Sequence, residues 1–222
     1  MKSGDTNTSE VFLIPETTSV GALAGIGYSI SPLTQLDFEV TSNRMFSRYE
    51  DAYVSNAMAV IGRVLGRRWI AQLRGGAGTI TPVRHTFAYS PGPHYLAGAT
   101  LTYKTLSHTF MGSFDRTISD SYGLGAHAAN VASGAWSWRM PGRSWSVYST
   151  GRYEMLDNLG NHNLNAWLAS IGISRRFDRH TTGRIGYIYG KNTGFYNGSL
   201  TSRHLEGVQL VVSWSPQEPL AF

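Results

Sequence analysis

The chain has 222 residues and a net charge of +5, with 25 glycines, 12% aromatic residues, only 15% charged residues and no cysteine. Disulfides, thiolate metal centres and cysteine nucleophiles are excluded. No run approaches the ~20 apolar residues of a membrane-spanning helix. The basic residues are scattered rather than gathered in a block, so nucleic acid is not an expected partner.

Residues 1–9 are polar and read as a disordered tail without the apolar run of a signal peptide. Val11-Phe12-Leu13-Ile14 stops at Pro15, a residue confined to edges and ends of strands. From Ser19 to Ser31, Val20, Ala22, Ala24, Ile26, Tyr28 and Ile30 alternate with Ser and Gly. This is the period-two pattern of a strand with one apolar face. Pro32-Leu33-Thr34 turns the chain into Gln35–Asn43, where Leu36, Phe38 and Val40 oppose Asp37 and Glu39. Arg44 to Asp51 reads as a loop, and Ala52 to Leu65 as a strand disturbed at Asn56 and Met58, where a β-bulge is expected. After Gly66-Arg67-Arg68, Trp69, Ala71 and Leu73 oppose Gln72 and Arg74.

Pro82 to Pro93 reads as a long loop with three prolines. Tyr95 to Lys104 alternates again, with Leu101 and Tyr103 on the apolar face, and turns at Leu106-Ser107-His108. Phe110 and Phe114 then oppose Ser113 and Asp115, before a loop over Arg116–Ser121. Leu124 to Trp138 is a strand with Asn130 out of phase. It leads into a hairpin in which Trp136 and Trp138 meet Trp145 across Pro141-Gly142, a pair suited to a tight turn. Tryptophans at a hairpin end suit a membrane interface, where the ring lies at headgroup depth. Val147 and Tyr153 continue the apolar face, opposite Thr150, Arg152 and Glu154. Asp157–Asn163 and Lys191–Ser202 read as loops around Trp167–Ile173 and a returning strand with Ile185 and Tyr187 opposite Arg184. The last strand carries Val208, Leu210, Val212 and Trp214 on one face.

Short turns near residues 33, 67, 107, 142 and 179 alternate with longer connections. A membrane-crossing barrel has this asymmetry, with turns on one side and loops on the other. The sequence therefore points to an all-β fold: a single antiparallel up-and-down transmembrane β-barrel over residues 10–215, with a C-terminal tail at 216–222. About eleven strands are readable from residue 19, and bacterial barrels close on even numbers, so about twelve are expected with one more within Ser9–Thr17, the alternative being about ten.

The chain resembles the bacterial outer-membrane β-barrel proteins, of an uncharacterised porin-like kind. The last strand, Glu206-Gly207-Val208-Gln209-Leu210-Val211-Val212-Ser213-Trp214, resembles their C-terminal insertion signal, although a tail with Pro216 and Pro219 follows before Phe222. The resemblance implies a bacterial outer-membrane location, with outer-membrane lipid, the barrel assembly machinery and envelope proteins as partners, and no cofactor.

Asp37, Glu39, Arg74, Asp115, Arg152, Glu154 and Arg184 fall on the polar face and are the expected lumen or constriction residues. Charges on the lipid face would cost ~2–4 kcal/mol each at mid-bilayer. Trp69, Tyr103, Trp136, Trp138, Trp145, Trp167 and Trp214 are the expected interface aromatics. The seven histidines show no metal-ligand spacing, and no catalytic residue stands out. His127, on a polar face near Ser133 and Asp115 in sequence, is read as part of a lumenal polar network. The leading function is a narrow channel for small solutes or an envelope scaffold, and not an enzyme. An enzyme acting on lipid or peptide at the rim and a soluble β-sandwich binding module are the alternatives.

Overall fold

The computed structural model describes residues 2–3, 17–46, 50–85, 92–120, 126–142, 144–159, 162–196 and 199–214. They form β1 (Lys2–Ser3), β2 (Thr17–Ser31), β3 (Thr34–Phe46), β4 (Glu50–Leu65), β5 (Trp69–His85), β6 (Pro93–Lys104), β7 (His108–Asp120), β8 (Ala126–Arg139), β9 (Trp145–Leu159), β10 (His162–Arg176), β11 (Thr181–Tyr196) and β12 (Ser199–Trp214). All twelve belong to one sheet whose spatial order is the chain order. Every pairing is antiparallel. This single up-and-down sheet replaces the sandwich alternative, which needs two stacked sheets. β1 is only two residues long and pairs Lys2 and Ser3 with Thr18 and Thr17 of β2. The further strand expected within Ser9–Thr17 lies outside the described residues, apart from Thr17, which opens β2.

The strands run further than their apolar alternation. Arg44–Phe46 continues β3, Glu50 and Asp51 open β4, Pro82–His85 continues β5, Arg116–Asp120 continues β7, and Lys191–Tyr196 continues β11. Asp157–Leu159 likewise extends β9, and Ser199 opens β12. The sequence reads these segments as loops because polar residues, prolines, glycines and asparagines interrupt the alternation there. A strand that projects beyond the apolar layer of a bilayer has water on its outer side and no longer needs alternation. At 12 to 17 residues, the eleven long strands exceed the ~9–11 that a tilted membrane strand requires.

The expected bulge at Asn56 and Met58 is absent: both sit in regular register against Gly78 and Gly76, and the register shift of β4 lies at Asp51/Ala52. The alternation of β4 is noisy because its inner face is itself apolar. Val54 and Val60 are buried there beside Asn56 and Met58. Asn130 takes the outer face of β8, where Arg116 Nη1 donates to its Oδ1 at 3.1 Å.

The tight turns lie at one end. Gly142 has φ 67° and Gly66 φ 73°, the left-handed region that makes glycine necessary in these two turns. Backbone hydrogen bonds tie the turn end to neighbouring strands: Val64 N donates to Leu33 O at 2.9 Å, and Arg176 N to Ser144 O at 2.9 Å. At the opposite end Ala52, Val54, Ile80, Leu96, Ile118 and Ala126 form a buried cluster, with Met45 and Met58 packed against it.

Candidate functional site

Strand register sorts the side chains into two faces. One carries Val20, Ile26, Phe38, Val40, Ile61, Leu73, Leu101, Phe114, Ile171, Ile185, Val208, Leu210 and Val212, all exposed. Thirteen exposed large apolar side chains on one face are unlike a soluble surface, where contiguous apolar patches are small. The other face carries the buried residues Val54, Val60, Ile80, Leu96, Leu156 and Ala166, and is therefore the inner one.

All seven expected lumen residues lie on this inner face. Four of them share one row of cross-strand neighbours, Gly27–Asp37–Val60–Arg74–Gly98–Asp115–Val131–Glu154–Ala166. Arg74 Nε stands 2.8 Å from Asp115 Oδ1, and Arg74 Nη2 donates to Thr100 Oγ1 at 3.2 Å. The two charged residues are not adjacent, because β6 runs between them. Gly98 is the intervening residue, and a Cβ there would meet the Asp115 carboxylate and come within 2.6 Å of Arg74 Nε. The missing side chain is what lets the ion pair close. Arg152 Nη2 donates to Glu154 Oε2 at 3.0 Å along β9, with Glu154 buried. Asp37 accepts from Gln35 Nε2 at 2.7 Å. Glu39 faces Gly25 and Met58 across the strands. Arg184 stands apart from the other six, exposed near the turn end of β11.

Hydroxyl pairs fill the inner face between the charges. Ser113 and Ser133 meet at 2.7 Å, Thr150 and Ser170 at 2.7 Å, and Ser146 and Ser174 at 2.6 Å. The Tyr148 hydroxyl lies over Gly172 and Gly186, so the ring crosses two strands. The residues near His127 in sequence are engaged elsewhere, Ser133 with Ser113 and Asp115 with Arg74. A cavity of about 670 Å³, lined among others by Ser29, Gln35, Gly62, Arg63 and Ile70, lies around the turn end of β2–β5.

The expected interface aromatics lie on the outer face. Trp69, Tyr103, Phe110 and Trp136 are cross-strand neighbours in one row. The Trp69 and Tyr103 ring centroids are 4.6 Å apart, and those of Tyr103 and Phe110 6.4 Å. Trp138, Trp145 and Trp214 continue the turn-end girdle at the ends of β8, β9 and β12. His108, read from sequence as a turn residue, opens β7 and stacks against Phe110, Trp136 and Trp138. Its Nδ1 accepts from Trp136 Nε1 at 3.3 Å, so that indole is satisfied by protein. The signal that could have found it is spacing: His108 stands two residues before Phe110, in phase with the outer face. Trp167 belongs to the other end, 5.4 Å from Tyr189, which is followed by His204. Arg44 lies there too, over Phe46 and Tyr53, and pairs with Asp51 at 2.7 Å.

In the turn Phe177–His180, Asp178 Oδ1 accepts from the backbone N–H of His180 at 2.7 Å and of Thr181 at 2.8 Å. The His180 N–H, with help from Thr181, holds its carboxyl below the usual carboxylate range.

An apolar exterior bounded by two aromatic girdles around a polar, charge-paired interior defines an integral β-barrel membrane protein. Its fold is that of the bacterial outer-membrane proteins. The chain is similar in structure to OmpT, an outer-membrane protein of Vibrio cholerae, with TM-score 0.52 and 9% identity over 93% of this chain and 99% of that one. It also aligns with a NanC porin structure, at TM-score 0.46 and 13% identity over 90% of this chain and 98% of that one. No protein-family model and no curated protein matches the sequence.

Proposed function

We propose that the protein is a narrow channel for small hydrophilic solutes across the outer membrane. The observation that carries this reading is the set of charged and hydroxyl side chains gathered on the inner face, opposite a predominantly apolar exterior. Ion pairs at Arg74–Asp115 and Arg152–Glu154 would restrict the bore while leaving it wetted. A guanidinium held by a carboxylate keeps a fixed geometry, which suits a constriction more than a freely moving plug. Interior polar rings of this kind set selectivity in barrels. The expected partners are outer-membrane lipid on the apolar face and the assembly machinery at β12.

The test is electrical. The full chain, refolded into planar bilayers, should give small unitary currents. Replacing both Arg74 and Asp115 by Ser removes the pair and its side-chain bulk, and should raise the unitary conductance. Large currents identical in both proteins would rule out the constriction. Silence from both would favour an envelope scaffold instead.

A further inference from the structure

The charges of the inner face are unequally distributed between the strands. One cross-strand row near the turns reads Arg139–Ser146–Ser174–Arg184, across β8, β9, β10 and β11. The two hydroxyls at its centre meet at 2.6 Å. Arg176, two residues beyond Ser174 on the same face, and Lys104, the last residue of β6, add two more cations at this end. All four basic residues are exposed. Among the described residues, β6 to β12 present no Asp or Glu on the inner face from this row to the turns. The inner carboxylates of this part of the sheet, Asp115 and Glu154, lie further along their strands and are paired with Arg74 and Arg152. Asp37, close to the turns on β3, is held by Gln35 at 2.7 Å. Asp178, in the turn itself, accepts two backbone N–H groups.

We propose that this row is a binding site for a small multivalent anion bearing phosphate or carboxylate groups. Two arginines flank a hydroxyl pair in the row, with Arg139 and Arg184 about 14 Å apart at their backbones, three strand spacings. That spacing leaves room for an anion between them, and each guanidinium can present two parallel N–H donors to a phosphate or carboxylate. The Ser146–Ser174 pair adds hydroxyls that donate or accept. The chemistry excludes a cationic ligand, since the further charged groups on the same face at this end are Arg176 and Lys104. An inward position separates the site from membrane headgroups, so its ligand is a dissolved anion. The inference shares with the channel reading only the assignment of the inner face; it does not require ions to pass.

Pyrophosphate without divalent metal is the probe, titrated calorimetrically into the full chain refolded in a lipid-free, uncharged detergent. Binding should occur and weaken with added salt. Arg139→Gln with Arg184→Gln should weaken it roughly tenfold or more, as expected for two lost charge-assisted contacts. Arg68→Gln with Arg175→Gln removes the same charge from side chains held on the outer face, against Tyr103 and Trp145, and should leave binding unchanged. Absence of binding to the wild type, or equal losses in both double variants, would overturn the site. Should the inner variant fail to fold, arginine modification of the wild type by phenylglyoxal decides. Pyrophosphate should then protect Arg139 and Arg184, mapped by mass spectrometry, and lack of protection would count against the site. Currents in bilayers without pyrophosphate binding would leave the channel standing and remove this site; binding without current would do the reverse.

Discussion

The two ends of the inner face are built differently. Toward the turns it is hydroxyl-rich and cationic, with a cavity of about 670 Å³ beside β2–β5. Toward the other end Ala52, Val54, Ile80, Leu96, Ile118 and Ala126 pack into a small apolar core. The same strands supply both: β4 carries Gly62 at the cavity and Val54 in the core. A barrel interior is thus not uniform along its axis. One end gains stability from packing, while the other keeps polar groups accessible to solvent.

The contrast should be most visible along β6. Leu96 is buried in the core, whereas Thr102 lies on the same face nearer the turns. Leu96→Ala should cost about 2–5 kcal/mol, the usual range for emptying a packed leucine site. Thr102→Ala should stay within about 0.5 kcal/mol. Urea titration in detergent, followed by the heat-dependent gel shift, measures both. Similar losses at the two positions would erase the distinction between a packed and an open end.

A second experiment sets the inner face against the outer. Ile171→Arg puts a charge on the exterior and should destabilise the inserted protein by about 2–4 kcal/mol at mid-bilayer depth. Thr150→Arg, on the inner face opposite Ser170, should insert normally despite losing a 2.7 Å hydroxyl contact. Folding yields in lipid vesicles report both, and equal yields would mean that the faces are wrongly assigned.

The boundary between the two ends is marked by the Arg74–Asp115 pair. Gly98→Val would force the two side chains apart, at a cost of about 1–3 kcal/mol typical of overpacking. Gly75→Val, on the outer face, where an added Cβ meets nothing within 4 Å, should cost less. The difference in urea midpoint between the two variants is the measurement.

The smallest effect belongs to the turn end. The Asp178 carboxyl is held below its ordinary range by the His180 N–H, so its contribution to stability is fully present above the unfolded value near about pH 4. It is lost as pH falls through the lower folded value. The stability gap between wild type and Asp178→Ala should therefore stay constant from neutral pH down to about pH 5 and narrow only in stronger acid. A gap that closes already at pH 6 would implicate another group, such as His180.

Much of this architecture was readable in the chain. Alternation at Val20–Ile30, Leu36–Val40 and Val208–Trp214 assigned the two faces, because a strand can place successive side chains only on opposite sides. It also put all seven charged candidates on one face. Turn chemistry located Gly66 and Pro141-Gly142, since few residues accept a positive φ. Alternation stops before the strands do, as at Arg44–Phe46 and Arg116–Asp120, because it records the apolar layer rather than the hydrogen-bonded length.

Register was decided only in three dimensions. Nothing local tells Arg74 that its partner is Asp115, two strands away across Gly98. Nor does the chain reveal that His108 stacks among tryptophans, or that Arg139 and Arg184 share a row. Composition and periodicity determined which side of the sheet each residue occupies; the pairing of strands decided which residues on that side meet, because hydrogen bonding between backbones fixes the stagger that sequence spacing alone leaves free.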